Sequence, residues 1–327
     1  MGINAKEMRP NYQALFIEKI KALLPTSQGL ADALSELLNI SKDAAYRRIR
    51  CETDLTLDEV LLICEHYKIT FESLSNPNAV AFHFKQLTPD VESFKLYLEG
   101  MLTDLQRIKS FDNASIIYAA EDIPVFHHFP YATLSAFKIY YWMRSVMNVK
   151  ALEGTHFKLG IIPAEVLELG RKVYDTYASI PSAEIWTDGT LSSTLDQIAY
   201  YWDAGLFERK EVAWAVCDDL ITEIQKIKQQ TELGSKHLVP FQFYHNDIMI
   251  GNNCVLIKAG NTRFCYLSHH SFNFMLTTDA SFSAETENWL ENMMRRSMLI
   301  SGVSEKQRNI FFMAMLRRIE NLRSRML

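Results

Sequence analysis

The stretch SKDAAYRRIR, residues 41–50, sets Lys42, Arg47, Arg48 and Arg50 on about three helical turns with Asp43 the sole acid among them. Guanidinium and ammonium groups at helical spacing suit two roles. They can form a solvated helix face, or they can meet a polyanion, where an arginine fork donates two hydrogen bonds to a phosphate or to guanine O6 and N7. Other residues with chemical potential carry less. His127-His128 and His269-His270, with His245 and Asp247 nearby in sequence to the second pair, invite a metal. Adjacent residues on a strand point to opposite faces, and no H-x-x-x-H or H-E-x-x-H helix accompanies them. Structural histidines are the favoured reading. EDIPVFHHFP joins two carboxylates, prolines and aromatics that could line a ligand pocket or turn the chain tightly, and packing is favoured. SHHSFNFMLTTD contains no G-x-S-x-G elbow, and the twelve glycines form no phosphate-binding loop. No catalytic residue, metal ligand or cofactor site is predicted, and the chain is not read as an enzyme.

The whole chain bounds these readings. Its 327 residues are 48% hydrophobic and 22% charged, enough to bury more than one core, so two or three domains are expected. A formal net charge of −5 excludes a uniformly basic nucleic-acid binder, and any such contact must come from a local patch. Five scattered cysteines without a C-x-x-C pair fit reduced thiols. The start MGINAKEMRP lacks an apolar leader core, and no apolar run approaches the roughly 18 residues that span a bilayer, so a soluble cytoplasmic protein without a membrane partner is expected.

The elements that must position the basic run read as short helices. From Asn11 to about Ser75 these are YQALFIEKIKALL, GLADALSELL, SKDAAYRRIR, TLDEVLLICEHY and a last turn around TFESL, with Pro25 ending the first and Ser41 and Thr56 as N-caps. SNPNA, residues 75–79, is a turn-forming linker that puts a domain boundary near residue 78. Beyond it, DVESFKLYLEGMLTDLQRI has the 3.6-residue apolar period of a long helix. SIIYAA is a candidate buried strand, and four further helices follow, with Gly205 where a helix pair would turn. After ELGSKHLVP, short aromatic and β-branched runs separated by Gly-Asn turns predict a small antiparallel sheet. Two helices end the chain. The second is opened by a Ser304-to-Gln307 capping-box pattern and bears an apolar stripe from Ile310 to Met326, read as core or as a dimerisation surface.

In a helix-turn-helix motif the first helix must stop within one or two residues, at a residue tolerant of positive φ, so that the second can cross it. Asn39 is such a residue, between an apolar face of Leu34, Leu37 and Leu38 and the packing positions Ile40, Ala44 or Ala45, and Ile49. Lys42, Asp43, Tyr46, Arg47 and Arg50 are left unburied. This stretch resembles the lambda-repressor-like helix-turn-helix domain, without a gap from GLADALSELLNISKDAAYRRIRC into TLDEVLLICEHYKI, over about one quarter of the chain. Asn39 and Cys51 stand where that family often has glycine, and Ile49 replaces a common acid. The resemblance implies that Ser41 caps the recognition helix and meets phosphate, that Lys42, Asp43, Tyr46 and Arg47 lie nearest base edges, and that Arg48 and Arg50 reach phosphates. Less specifically, AAEDIPVFHHFPYATLSAFK, EIWTDGTLSSTLDQIAYYW and SMLISGVSEKQRNIFF are similar to a Bacteroidetes-type family of regulators with this N-terminal domain and a long C-terminal region.

The expected architecture is therefore mainly α: an all-α DNA-binding domain at 1–76, then a mostly helical α+β region at 79–327, with a small antiparallel sheet near the C-terminus and a sub-boundary near 234–240. The expected function is sequence-specific regulation of transcription. The partners would be double-stranded DNA, a second copy of the chain, and a small-molecule or protein effector of the C-terminal region. The rival expectation is an adaptor whose N-terminal bundle does not bind DNA.

Overall fold

Runs that are apolar throughout, without alternation, are what a parallel strand covered on both faces requires. One such run, SIIYAA, and beside it SAEIW, buried on both faces but carrying Glu184 at its middle, form the centre of the molecule. The computed structural model describes residues 11–25, 28–67, 69, 80–269 and 272–326. Within them a nine-stranded mixed sheet has the order β1-β8-β7-β6-β2-β3-β5-β4, with β9 also pairing β5. Its strands are β1 His83–Phe84, β2 Ser115–Ala120, β3 Ser182–Trp186, β4 Ser235–Lys236, β5 Val239–His245, β6 Cys254–Ala259, β7 Thr262–His269, β8 Asn273–Thr277 and β9 Met298–Leu299. The fold is α+β. The expectation of a mainly α chain with a small C-terminal antiparallel sheet is overturned, because the sheet draws strands from residue 83 to residue 299 and its middle is parallel.

In that middle Tyr118, Glu184 and Phe243 lie abreast across β2, β3 and β5. The crossovers run through helices: α6 Ala132–Tyr141 and α7 Ala164–Ala178 between β2 and β3, α8 Ser192–Asp203 and α9 Lys210–Leu233 between β3 and β5. Gly205, at φ +64, lies just beyond α8, as its place in the sequence suggested. These helices share one face of the sheet and one large apolar core with α5 Val91–Lys109 and α11 Glu305–Ser324. The other face is covered by α10 Ala280–Arg296, whose Leu290, Met293 and Met294 pack on Ile117, Ile185 and Leu256.

One detail of α11 differs from expectation, and the structure decides between the two readings of its stripe. Ser304 is left-handed at φ 55 and makes no side-chain cap, so the capping box does not form; Arg308 Nη1 donates to Ile300 O and Val303 O just ahead of the helix instead. The apolar stripe is core. Phe311 and Phe312 pack against the Phe243 ring, and Met315, Ile319, Leu322 and Met326 are buried, which leaves only the stripe's first residue, Ile310, exposed.

The N-terminal unit is strand-free among its described residues: α1 Tyr12–Ala22, α2 Leu30–Leu37, α3 Lys42–Ile49 and α4 Leu57–Tyr67. Its centre is Phe16, Ile17, Ile20, Leu34, Ala45, Ile63 and Tyr67. The end of α1 meets the rest of the chain through Thr262 Oγ1, which donates to Ala22 O, and Arg107, which donates to Leu23 O at 3.4 Å and lies over the Tyr67 ring. The expected turn around TFESL, the SNPNA linker and His270 lie outside the described residues.

Candidate nucleic-acid interface

Helix α2 stops because its carbonyls are capped by a chain reversal. Asn39 takes φ +51, its N–H donates to Glu36 O, and the Ile40 N–H donates back to Ser35 O at 3.0 Å, the paired bonds of a Schellman motif. The Ser41 hydroxyl then accepts from the Ala44 N–H at 3.2 Å and starts α3. Ala45 is fully buried against Leu34, and its small side chain allows the two helices to approach. The same device ends α3: Cys51 is left-handed at φ +58, its N–H bonds to Arg48 O and the Glu52 N–H to Arg47 O. Both positions where the resembled family often has glycine therefore adopt the conformation glycine would take.

Sequence reasoning missed Gln13 of α1, whose side chain fixes the loop after α3. Its amide donates to Arg48 O and Thr53 O at 2.9 Å each and accepts from the Leu55 N–H at 3.0 Å. A long-range side-chain bond of this kind leaves no periodic trace. The start of α4 was more legible, because Thr56 and Glu59 form a reciprocal capping box, Thr56 N–H to Glu59 at 3.0 Å and Glu59 N–H to Thr56 Oγ1 at 3.3 Å.

Ser41, Lys42, Asp43, Tyr46, Arg47 and Arg50 are all exposed. Arg48 is not among them. Its guanidinium turns inward, donating to both Glu59 carboxylate oxygens, at 2.7 Å for the shortest bond, and to Ala44 O at 3.2 Å. The phosphate role expected of Arg48 is corrected accordingly, since its fork is already taken by a half-buried partner. The hydrogen bond from Arg48 holds the Glu59 carboxyl below the ordinary carboxylate range.

Each remaining cation also has a carboxylate beside it. Lys42 pairs with Asp32 of α2, Arg47 with Asp43 at 3.2 Å, and Arg50 with Glu52 at 3.0 Å. Residues 11–67 carry six lysines and arginines against nine aspartates and glutamates, so the face is a local basic ridge on an acidic unit. The three outward pairs are water-exposed, and such pairs are worth about 0–1 kcal/mol, which an incoming phosphate can replace. Tyr46 points outward as a flat aromatic, and Arg47 can act as a bidentate donor once its exposed pair with Asp43 is exchanged.

The other groups weighed from sequence lie elsewhere. His127 and His128 are buried in a 3-10 turn, Val125–His128, bonded to Glu184 and Glu223. His245 pairs with Asp188. None of the five cysteines forms a disulfide, and among the described residues no group of His, Cys, Asp or Glu is arranged to hold a metal ion. No helix among them is long and apolar enough to cross a membrane. Comparison with family models, with curated proteins and with solved structures finds no match for the chain.

Proposed function

We propose that the chain is a sequence-specific DNA-binding regulator that reads duplex DNA with α3. One observation carries the reading: two short helices joined by a left-handed Asn39, the second packed through Ala45 and presenting Lys42, Asp43, Tyr46, Arg47 and Arg50 to solvent. In this role Arg47 specifies, through a bidentate contact to a base edge, while Ser41 and Arg50 hold phosphates and Lys42, expected near a base edge, is reassigned to a phosphate. A single recognition helix makes too few base contacts for a genomic search, so the proposal includes a homodimer on a near-palindrome with half-sites about 34 Å apart or a multiple of that. The stripe of α11 is not that dimer surface, being covered within the chain.

A salt titration on a duplex selected from a random library, and on a scrambled one, tests the reading. Arg47→Ala should cost roughly 1–3 kcal/mol on the selected site and flatten preference at one base position per half-site. Arg50→Ala should weaken both duplexes about equally and lower the salt slope by about one per protomer. Wild-type binding by both variants on both duplexes defeats the proposal. The adaptor reading rests on a different observation: the unit's acidic balance and the exposed Leu57, Leu61 and Leu62 of α4. It gains if the chain binds no duplex at low salt.

A further inference from the structure

In open α/β sheets ligands bind outside the carboxyl ends of the parallel strands. Strand β2 is such a strand, with β3 parallel on one side and β6 antiparallel on the other, and β6 is entered from β5. Beyond its end lies a small cavity of about 20 Å³, walled by Asp122, which follows β2, Asn253, which precedes β6, and Tyr118, His128, Lys138 and Trp142 beneath. That is room for about one oxygen-sized group.

The polar groups around it are arranged in an unusual way. His128 is 1% exposed and its Nε2 has no hydrogen-bond partner, while its Nδ1 lies 3.0 Å from Glu223 Oε2. An orphaned donor in a nearly closed space costs on the order of 1–3 kcal/mol unless something fills it. Lys138 is not the missing partner. Its Nζ is directed to Thr194 Oγ1 at 3.0 Å, Gln197 Oε1 at 2.9 Å and Asp122 Oδ2 at 3.5 Å. Asp122 Oδ1 already accepts from the Ile123 N–H at 2.9 Å and from Thr194 Oγ1 at 3.2 Å, so the oxygen left with acceptor capacity is Oδ2, whose charge the lysine balances.

The protonation of the pair behind the cavity fixes the character of Nε2. Burial pushes the Glu223 carboxyl up to about 8, and burial with the nearby Lys138 charge holds His128 well below the usual imidazole range. Both shifts favour the uncharged pair. The Glu223 O–H then donates to Nδ1, and the ring proton sits on Nε2, facing the cavity as a donor. One fixed donor and one charge-balanced acceptor select a group that both accepts and donates. A carboxylate cannot donate to Asp122, and an ammonium cannot accept from His128.

We infer that the crevice at the carboxyl end of β2 is a binding site for a small uncharged molecule bearing a hydroxyl or carboxamide head. The head accepts from His128 Nε2–H and donates to Asp122, with Trp142 and the ring of Phe272, 5.2 Å from it, forming the apolar wall. Glu223 is a positioning residue that sets the tautomer. The inference stands apart from the DNA-binding reading, since none of these residues lies in the N-terminal unit.

The test is an NMR titration of the full chain, labelled with ¹⁵N-histidine, using four probes: ethylene glycol, acetamide, acetate and methylammonium. The His128 Nε2 signal should be of the protonated type before any addition. Ethylene glycol, acetamide or both should shift it saturably, and the two ions should bind at least tenfold more weakly; the stronger neutral probe tells hydroxyl from carboxamide. Glu223→Gln should keep the response, because the glutamine amide can also donate to Nδ1, whereas His128→Phe should abolish probe binding read from the probe's own signals. An unprotonated Nε2, no saturable shift with either neutral probe, or ions that bind as well as the neutral probes would each overturn the inference. These readings use the wild-type chain and stand even if His128→Phe does not fold.

Discussion

The same kind of contact, a cationic or imidazole nitrogen beside a carboxyl group, occurs at two places in this molecule with opposite consequences. On α3 the partners Lys42–Asp32, Arg47–Asp43 and Arg50–Glu52 keep between 51% and 74% of their side chains in water. Under the sheet, His127–Glu184 and His128–Glu223 keep at most 2%. In water a pair is exchangeable, its Coulomb gain offset by hydration and side-chain entropy. Out of water each member is committed, because removing one strands the other. Exchangeable pairs suit the proposed role of a surface that trades carboxylates for phosphates, and committed pairs suit a core that must hold one register. Arg48–Glu59, with 15% and 16% exposed, lies between them and fastens α3 to α4.

The largest effect that would sharpen this contrast is at Glu184. Its carboxylate accepts from Tyr177 OH at 2.5 Å and Trp186 Nε1 at 2.9 Å and bonds His127 Nε2 at 2.9 Å, all inside the core. Glu184→Ala should lose about 3–5 kcal/mol in urea denaturation, the cost of leaving buried partners unmatched. Glu184→Gln, which keeps the shape and part of the bonding, should lose less. A loss below about 1 kcal/mol for the alanine variant, the range of an exposed pair, would break the comparison.

Next in size is Arg48→Ala, expected to cost roughly 1.5–3 kcal/mol from charge-assisted bonds to a half-buried partner. It should abolish DNA binding by loosening α3, seen as reduced helical content, and not by loss of a phosphate contact. The pair also carries a pH signature. Because the Glu59 carboxyl is lowered in the folded chain, the stabilisation is present above the unfolded glutamate value of about 4.3 and fades as pH falls from there through the folded value. Arg48→Ala should remove that acid sensitivity; a titration that shows it unchanged would place its source elsewhere.

What could be read from the chain beforehand divides along the same line. The helix pair α2–α3 was legible because Leu34, Ala45 and Ile49 recur at helical spacing and Asn39 marks the stop, all local signals. The inward turn of Arg48 was not, since it depends on Glu59, eleven residues on and in another helix. SIIYAA announced itself as a strand, but SAEIW did not. Five residues long, buried on both faces and centred on a charged Glu184, it has neither alternation nor a uniformly apolar run. With β3 unseen, the parallel centre of the sheet and its carboxyl-end crevice could not be anticipated, and the fold was read as mainly helical. The stripe on α11 was correctly found, but a stripe does not say whether its cover comes from the same chain.

A smaller effect tests whether the α3 unit is built for function over stability. Cys51 at φ +58 bears a cost of about 1–2 kcal/mol that glycine would avoid, offset in part by the extra freedom glycine gives the unfolded chain. Cys51→Gly should therefore stabilise the unit by about 0.5–1 kcal/mol. Asn39→Gly should gain less, because asparagine tolerates the left-handed region better. Thermal melts of the two variants check the order, and a destabilised Cys51→Gly would mean that the thiol packs in a way its geometry does not suggest.

The smallest change in stability is expected at Asp32→Asn, and it bears most directly on the exposed half of the comparison. Asp32 holds Lys42 through an ion pair whose partners are 69% and 56% exposed, so its loss should move unfolding by no more than about 0.5 kcal/mol. Its effect on DNA binding should run the other way from an ordinary loss of contact. Removing the carboxylate frees Lys42 for phosphate and takes one negative charge from the surface proposed to approach a polyanion. Affinity for every duplex should therefore rise, by a few fold at low salt and by less as screening shortens the range of the field. The control is Asp54→Asn, which removes the same charge from the same unit without contacting Lys42 and should give a smaller rise. Equal rises from both variants would assign the effect to net charge alone, and no rise from Asp32→Asn would take Lys42 off the binding face.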